Sequence, residues 1–92
     1  MSTTDEAALT APIFSDGRLR WACRRGMLEL DLLLDRFVDV AHPHLPVQVQ
    51  ADFQRLLEET DQDLIGYLMG NAVCEDADLA YVIEAIRRAA VA

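Results

Sequence analysis

Two arginines, a glycine and two carboxylates lie within eight residues of one another near the start of this chain, from Arg24 to Asp31. Four of the eight basic residues, all arginines, fall in or just before this segment. Outside residues 17–28 the chain carries 16 acidic residues against four basic ones, and its net charge is −8. A local concentration of positive charge on an acidic protein indicates a binding site.

Catalytic chemistry is not indicated by these residues. Glu29 and Asp31 are two positions apart, so on a helix their carboxylates point in different directions and are poorly placed for paired acid–base work. The chain shows no Ser-His-Asp or Cys-His arrangement, no glycine-rich phosphate loop and no HExxH motif. The sequence therefore predicts a binding protein with no catalytic residue.

Metal and nucleic acid are equally unsupported as ligands. Cys23 and Cys74 are 51 positions apart and match no zinc-ligand spacing, so we expect two reduced cysteines, half-buried in the core. His42 and His44 bracket a proline in a segment that we interpret as an exposed, helix-ending turn. The negative net charge disfavours a phosphate backbone as partner.

The length of 92 residues fits one domain. Residues 1–16 show no sustained apolar period, and we expect a disordered tail there, followed by a helical domain over 17–92. No apolar run approaches the roughly 20 residues of a membrane span, and the first residues resemble no secretory signal. We expect a cytoplasmic bacterial protein, without direct membrane insertion.

Apolar residues recur at helical spacing along almost the whole chain. The pattern predicts an all-α protein, a compact five-helix bundle, with Asp61 and Asp76 as N-caps of the last two helices. The expected helices cover about 18–25, 28–41, 47–59, a short stretch after Asp61, and about 77–90.

Gly26 falls where the residue after the first helix would be, a position that commonly needs a positive φ. We expect Arg25 and Glu29 to point outward from this corner. A purely structural interpretation stays open, in which Glu29 and the two arginines, Arg24 and Arg25, only complement helix dipoles. Trp21 and Tyr67 are either rims of the core or, if exposed near arginine, interface anchors.

Residues 21–31 resemble the signature of the SdhE family, the FAD assembly factors of succinate dehydrogenase, similar to the eukaryotic succinate dehydrogenase assembly factor 2. The sequence of this block is Trp-Ala-Cys-Arg-Arg-Gly-Met-Leu-Glu-Leu-Asp. Further blocks at 53–57, 61–70 and 76–79 also resemble the family, in the same order, so that the resemblance covers about residues 18–90. The family commonly has tryptophan where this chain has Tyr67.

The resemblance implies a five-helix bundle that binds the flavoprotein subunit of succinate dehydrogenase, and often that of fumarate reductase, and promotes covalent attachment of FAD to it. It implies that Arg25, Gly26 and Glu29 carry this function, with Arg24 and Asp31 beside them. FAD is then attached to the partner and not held stably by this chain, which we expect to be a monomer. The alternatives are a regulatory adaptor of another complex that uses the same surface, a toxin–antitoxin component, and a carrier of free FAD.

Overall fold

The computed structural model describes residues 15–91, which form five α-helices and one short 3₁₀ helix. The helices are α1 (Asp16–Ala22), α2 (Leu28–Val40), α3 (Val47–Leu56), α4 (Asp61–Leu68) and α5 (Ala77–Val91), with the 3₁₀ helix His42–His44 between α2 and α3. Within residues 15–91 there is no strand, so the predicted all-α class is confirmed. None of the described helices is long and apolar enough to cross a membrane.

The core lies where α5 packs against α2 and α3. Phe37 of α2 and Phe53 of α3 are fully buried, with ring centroids 4.8 Å apart. Burying each aromatic side chain stabilises the fold by roughly 1.5–3 kcal/mol. Apolar side chains of all five helices contribute to this core, whereas Met69, the C-cap of α4, is exposed.

Both ends of α1 differ from the expected 18–25. The helix begins at Asp16, because the Ser15 side chain accepts a hydrogen bond from the backbone N–H of Arg18. It ends at Ala22, with Cys23 as its C-cap. Residues 1–14 of the expected tail lie outside the described residues, whereas Ser15 and Asp16 start α1.

Caps explain the bounds of α4 and α5. Thr60, and not Asp61, is the N-cap of α4, since its hydroxyl accepts from the backbone N–H of Asp63. Asp76 caps α5 as predicted, by accepting from the backbone N–H groups of Asp78 and Leu79. Gly70 follows the C-cap of α4 with a φ of 81°, a conformation common for glycine after a helix.

The expectation of an exposed histidine turn is half wrong. His44 is exposed, but His42 is buried, with its ring centroid 6.2 Å from that of Phe37 and 5.5 Å from that of Phe53. Both pairs are edge-on, an arrangement that aromatic rings favour. The turn is held by the Gln50 side chain, which donates to the carbonyl of His42 at 3.1 Å and to that of Leu45 at 3.0 Å.

Candidate functional site

The side chain of Arg25 holds the segment between α1 and α2, residues 23–27, in place through hydrogen bonds. Its guanidinium donates from Nε to Asp61 Oδ1 at 2.8 Å, from Nη1 to the carbonyl of Leu57 at 2.8 Å, and from Nη2 to the carbonyl of Glu59 at 2.8 Å. Leu57 is the C-cap of α3, where backbone carbonyls lack a partner within the helix. Arg25 supplies the missing donors from another part of the chain.

Arg25 therefore does not point outward, and that expectation is wrong. Only 16% of its side chain is exposed. A second acceptor for its Nη1 is the carbonyl of Ala22 at 3.2 Å, at the end of α1. The planar, forked guanidinium can serve three helix-end carbonyls and a carboxylate together, which a lysine ammonium cannot do in one plane.

Asp31 fixes the backbone of the same segment from the α2 side. Its Oδ1 accepts from the backbone N–H of Arg25 at 2.8 Å, and its Oδ2 accepts from that of Gly26 at 3.3 Å. Asp31 lies in the second half of the first turn of α2, whose N-cap, Met27, provides no side-chain cap. The carboxylate thus satisfies N–H groups that precede the helix, and it holds the backbone at Gly26 in place.

Gly26 has a φ of 85°, so the predicted left-handed conformation is confirmed. It does not directly follow α1, because that helix ends at Ala22 and three further residues precede Gly26. A Cβ added at Gly26 would have no atom within 4 Å. The backbone of Gly26 therefore faces open space, and any side chain there would project away from the protein.

The concentration of arginines is largely neutralised within the molecule. Arg20 forms ion pairs with Asp35, at 3.3 Å, and with Asp39, which tie α1 to α2. Arg25 is paired with Asp61. Arg24 differs, since its exposed side chain forms no hydrogen bond or ion pair with any residue from 15 to 91.

Glu29 and Trp21 are also available to a partner. Glu29 is exposed in the first turn of α2, and within the described part of the chain its carboxylate accepts no hydrogen bond. Trp21 is 75% exposed, so this side chain does not lie at the rim of the core, which was one of its two interpretations. We refer to Trp21, Arg24, Gly26, Leu28 and Glu29 as the α1–α2 surface.

Sequence reasoning missed two exposed leucines, one within this surface and one beside it. Leu28 and Leu32, one helical turn apart on α2, are 73% and 59% exposed. Both fall outside the apolar stripe that α2 buries, and this was the signal available in the sequence. A single exposed leucine outside the buried stripe of a helix has little effect on stability, but two at adjacent turns form an apolar patch.

Two hollows meet at Leu32. One, of about 190 Å³, is lined by Cys23, Arg24, Asp31, Leu32 and Asp35. The other is a more apolar groove of about 320 Å³, lined by Glu29, Leu32, Leu33, Arg36, Met69 and Ala90. The shared leucine makes the two hollows neighbours along one face of α2.

Tyr67 lies apart from these hollows. It is half-buried against the core and lines a different groove, of about 300 Å³, together with Val73, Cys74 and Ile83. The groove of Tyr67 is lined by none of Trp21, Arg24 and Glu29, and Tyr67 lines neither of the two hollows at Leu32.

Both cysteines are free, as expected for reduced thiols. Cys23 is buried, and burial, reinforced by the nearby carboxylate of Asp35, raises the pKa of its thiol to about 12. A thiol in this state is neither a nucleophile nor a ready metal ligand. Among residues 15–91 no three His, Cys, Asp or Glu side chains are grouped so that they could hold a metal ion.

Comparison with known proteins matches residues 17–90 to the family described as "Flavinator of succinate dehydrogenase". A similar protein is the "FAD assembly factor SdhE" of Idiomarina loihiensis, 53% identical over 66 residues, which cover 72% of this chain and 73% of that protein. Proteins of the same name are similar in Colwellia psychrerythraea, 43% identical over 84 residues (91% and 92% covered), and in Pseudomonas aeruginosa, 49% identical over 69 residues (75% and 82%).

Proposed function

Since this chain belongs to the family of flavinators of succinate dehydrogenase, we propose that it binds the flavoprotein subunit of that enzyme through the α1–α2 surface and promotes covalent attachment of FAD there. The family and the names of the relatives support the assembly function. The site rests on the geometry of residues 21–31. The adaptor alternative gains no support from the comparisons.

One observation carries the choice of surface. Trp21, Arg24 and Glu29, all within five residues of Gly26 in the sequence, are exposed, and the backbone of Gly26 faces open space. Arg24 and Glu29 also have no partner for their charges among residues 15–91. A large aromatic side chain beside free charges of both signs is typical of a protein interface.

The residues of the motif divide into two roles in this proposal. Trp21, Arg24 and Glu29 contact the flavoprotein, and Gly26 lets the two backbones approach closely. Arg25 and Asp31 are positioning residues, because their polar groups are used in holding the segment 23–27. Tyr67, on its separate groove, remains a predicted second contact.

FAD itself does not fit this chain as a resident cofactor. The two larger grooves, about 320 and 300 Å³, are open and lie at the lower end of the volumes of small-molecule sites, whereas FAD is one of the larger cofactors. No described groove combines a phosphate-binding helix N-terminus with several free arginines. We therefore propose that the chain acts as an assembly chaperone, not an enzyme or an FAD carrier, and that the chemistry of attachment belongs to the partner.

Fumarate reductase has a flavoprotein subunit that could use the same surface, and we propose it as a second client. We also propose that this chain acts as a monomer in the cytoplasm. Its relatives named above are all bacterial proteins.

Covalent flavin on the succinate dehydrogenase flavoprotein subunit tests the proposed function. A deletion strain is complemented with wild type, Gly26→Arg or Gly70→Ala, and flavin fluorescence of the subunit is read on denaturing gels. Gly70→Ala is the control for backbone strain, since Gly70 has a φ of 81° and alanine adds only a methyl group to the groove that Tyr67 lines. We expect fluorescence to be lost on deletion and restored by wild type and Gly70→Ala, but not by Gly26→Arg.

Two outcomes would contradict the proposal in different ways. Undiminished fluorescence in the deletion strain would remove the assembly function. Restoration by Gly26→Arg as complete as that by wild type would keep the function but move the site away from the α1–α2 surface.

A further inference from the structure

The apolar groove next to the α1–α2 surface has features of a binding site for a side chain of a protein partner. Its floor and walls are Leu32 and Leu33 of α2, Met69 after α4 and Ala90 near the end of α5. Leu32 and Met69 are 59% and 45% exposed. Single exposed leucines are ordinary, but exposed apolar side chains that line one groove together offer a surface that an apolar side chain of a partner can cover.

The groove is continuous with the surface proposed above. Glu29 belongs both to the α1–α2 surface and to the rim of the groove, and Leu32 also lines the hollow that contains Arg24. A partner that binds Trp21, Arg24 and Glu29 would therefore lie next to the groove. If the partner did not also cover the groove, the apolar side chains there would stay in water at the edge of the interface.

The charges at the rim limit the chemistry of the occupant. Glu29 has no partner for its carboxylate within residues 15–91. The Nε of Arg36, on the same rim, donates to the carbonyl of Ala89 at 2.8 Å, so that one face of this guanidinium is used to cap α5. The carboxylate of Glu29 at the rim can therefore pair with a basic group of the occupant.

We propose that this groove receives an apolar side chain of the same flavoprotein subunit, adjacent in that subunit to an arginine or lysine that pairs with Glu29. The inference rests on the proposed function and adds a second contact to it. The α1–α2 surface makes the polar contacts and the close backbone approach at Gly26. The groove supplies apolar burial, which contributes more to affinity than an exposed ion pair does.

Variants at Leu32 and Met69 test the groove. Leu32→Asp and Met69→Asp place a charge in the groove at exposed positions, so the fold should tolerate them. Tyr81→Asp is the matched control, because Tyr81 is 56% exposed in the middle of α5 and lines none of the hollows that contain Leu32. Leu32→Ser serves as an uncharged second variant, and circular dichroism verifies the helical content of each protein.

The measurement is the Kd of each variant for the purified flavoprotein subunit without FAD, by isothermal titration calorimetry. We expect Leu32→Asp and Met69→Asp to weaken binding about tenfold or more, Leu32→Ser to weaken it by a smaller factor, and Tyr81→Asp to change it by less than about twofold. Glu29→Gln should also reduce the salt dependence of the Kd.

Gly26→Arg in the same experiment separates the two proposals. If Gly26→Arg loses binding while Leu32→Asp and Met69→Asp bind like wild type, the groove is not a contact and the α1–α2 surface stands. If all three variants bind like wild type, the proposed site fails together with the groove. Equal weakening by Tyr81→Asp would show a general effect of added negative charge and would overturn the groove proposal.

Discussion

Arg25 and Asp61 join two parts of the chain that lie 36 residues apart, through a hydrogen bond of 2.8 Å from Nε to Oδ1. Three backbone carbonyls, those of Ala22, Leu57 and Glu59, accept from the two remaining nitrogens of the same guanidinium. The arginine of the Arg-Gly-x-x-Glu motif thus connects the segment before α2 to the turn between α3 and α4. Arg25 therefore acts on the α1–α2 surface by fixing the shape of the segment 23–27, not by contacting a partner itself.

Replacing Arg25 with lysine tests this positioning role. Lysine keeps the charge but cannot donate to all four acceptors, so helix-end carbonyls lose their donors. We expect Arg25→Lys to lower the free energy of unfolding by about 1–3 kcal/mol. For a domain of this size that corresponds to a fall in Tm of roughly 5–20 °C in a thermal melt.

Arg24→Lys is the control for Arg25→Lys. The Arg24 side chain is exposed and forms no contact with the described residues that lysine would break, so the stability should change by less than about 0.5 kcal/mol. Equal Tm values for Arg25→Lys and wild type would contradict the positioning role and return Arg25 to the group of direct partner contacts.

Gly26→Ala and Gly70→Ala should cost similar amounts of stability. Both glycines have φ near 80°, and neither would place a Cβ closer than 3.6 Å to another atom. We therefore expect about 1–2 kcal/mol of destabilisation from the backbone conformation in each case. Urea denaturation measures it, and a much larger cost at Gly26 would mean that this segment is packed more tightly than the structure shows.

Only one of the two cysteines should react rapidly in the folded protein. Burial holds the Cys23 thiol at a pKa of about 12, so its thiolate fraction at pH 8 is on the order of 10⁻⁴. Cys74 is half-buried, with a hydrogen bond from its Sγ to the carbonyl of Asp76 at 3.7 Å. Mass spectrometry after iodoacetamide treatment should find one label in native protein and two in urea; two labels at equal native rates would contradict the burial of Cys23.

Asp76 should make stability depend on pH on the acid side. Its pKa is lowered from 3.8, first by the hydrogen bond from the backbone N–H of Leu79 and further by Arg55, whose guanidinium is 2.6 Å away. A carboxyl with a lower pKa in the folded state stabilises the fold above its unfolded pKa, and this stabilisation is lost as the pH falls through the folded pKa.

The Tm difference between wild type and Asp76→Ala should therefore be constant from pH 7 to about pH 5 and shrink below about pH 4. Glu75→Gln serves as control, because Glu75 is exposed and has no hydrogen bond within the described residues. A difference that stays unchanged down to pH 2 would show that the α5 cap contributes through something other than the ionised carboxylate.

The helices and the core could be predicted because their signal is local. The spacing of apolar residues such as Leu34 and Phe37, three positions apart, identifies the buried face of a helix. The family resemblance identifies the motif at 21–31. The direction of Arg25 could not be read from its neighbours, because three of its four acceptors lie 32–36 residues further along the chain. The same holds for His42, whose burial depends on the approach of Phe53 from α3.

The N-cap of α4 was predicted wrongly for a different reason. Thr60 and Asp61 are adjacent and both residue types favour N-cap positions, so sequence preference does not separate them. Asp61 is instead used to bind Arg25, and this long-range ion pair leaves the cap to the threonine. The exposed pair Leu28 and Leu32 was detectable as a departure from the buried stripe of α2.

The connection through Arg25 also bears on when this protein becomes active during its own synthesis. Residues 21–31 leave the ribosome before residues 57–61, which supply two of the three carbonyls and the carboxylate that accept from Arg25. Until that later part has emerged and α3 and α4 have formed, the segment 23–27 has only its local contacts to Ala22 and Asp31. A nascent or partly unfolded chain therefore does not hold this segment in its native form, and under the proposed function such immature copies would compete poorly for the flavoprotein.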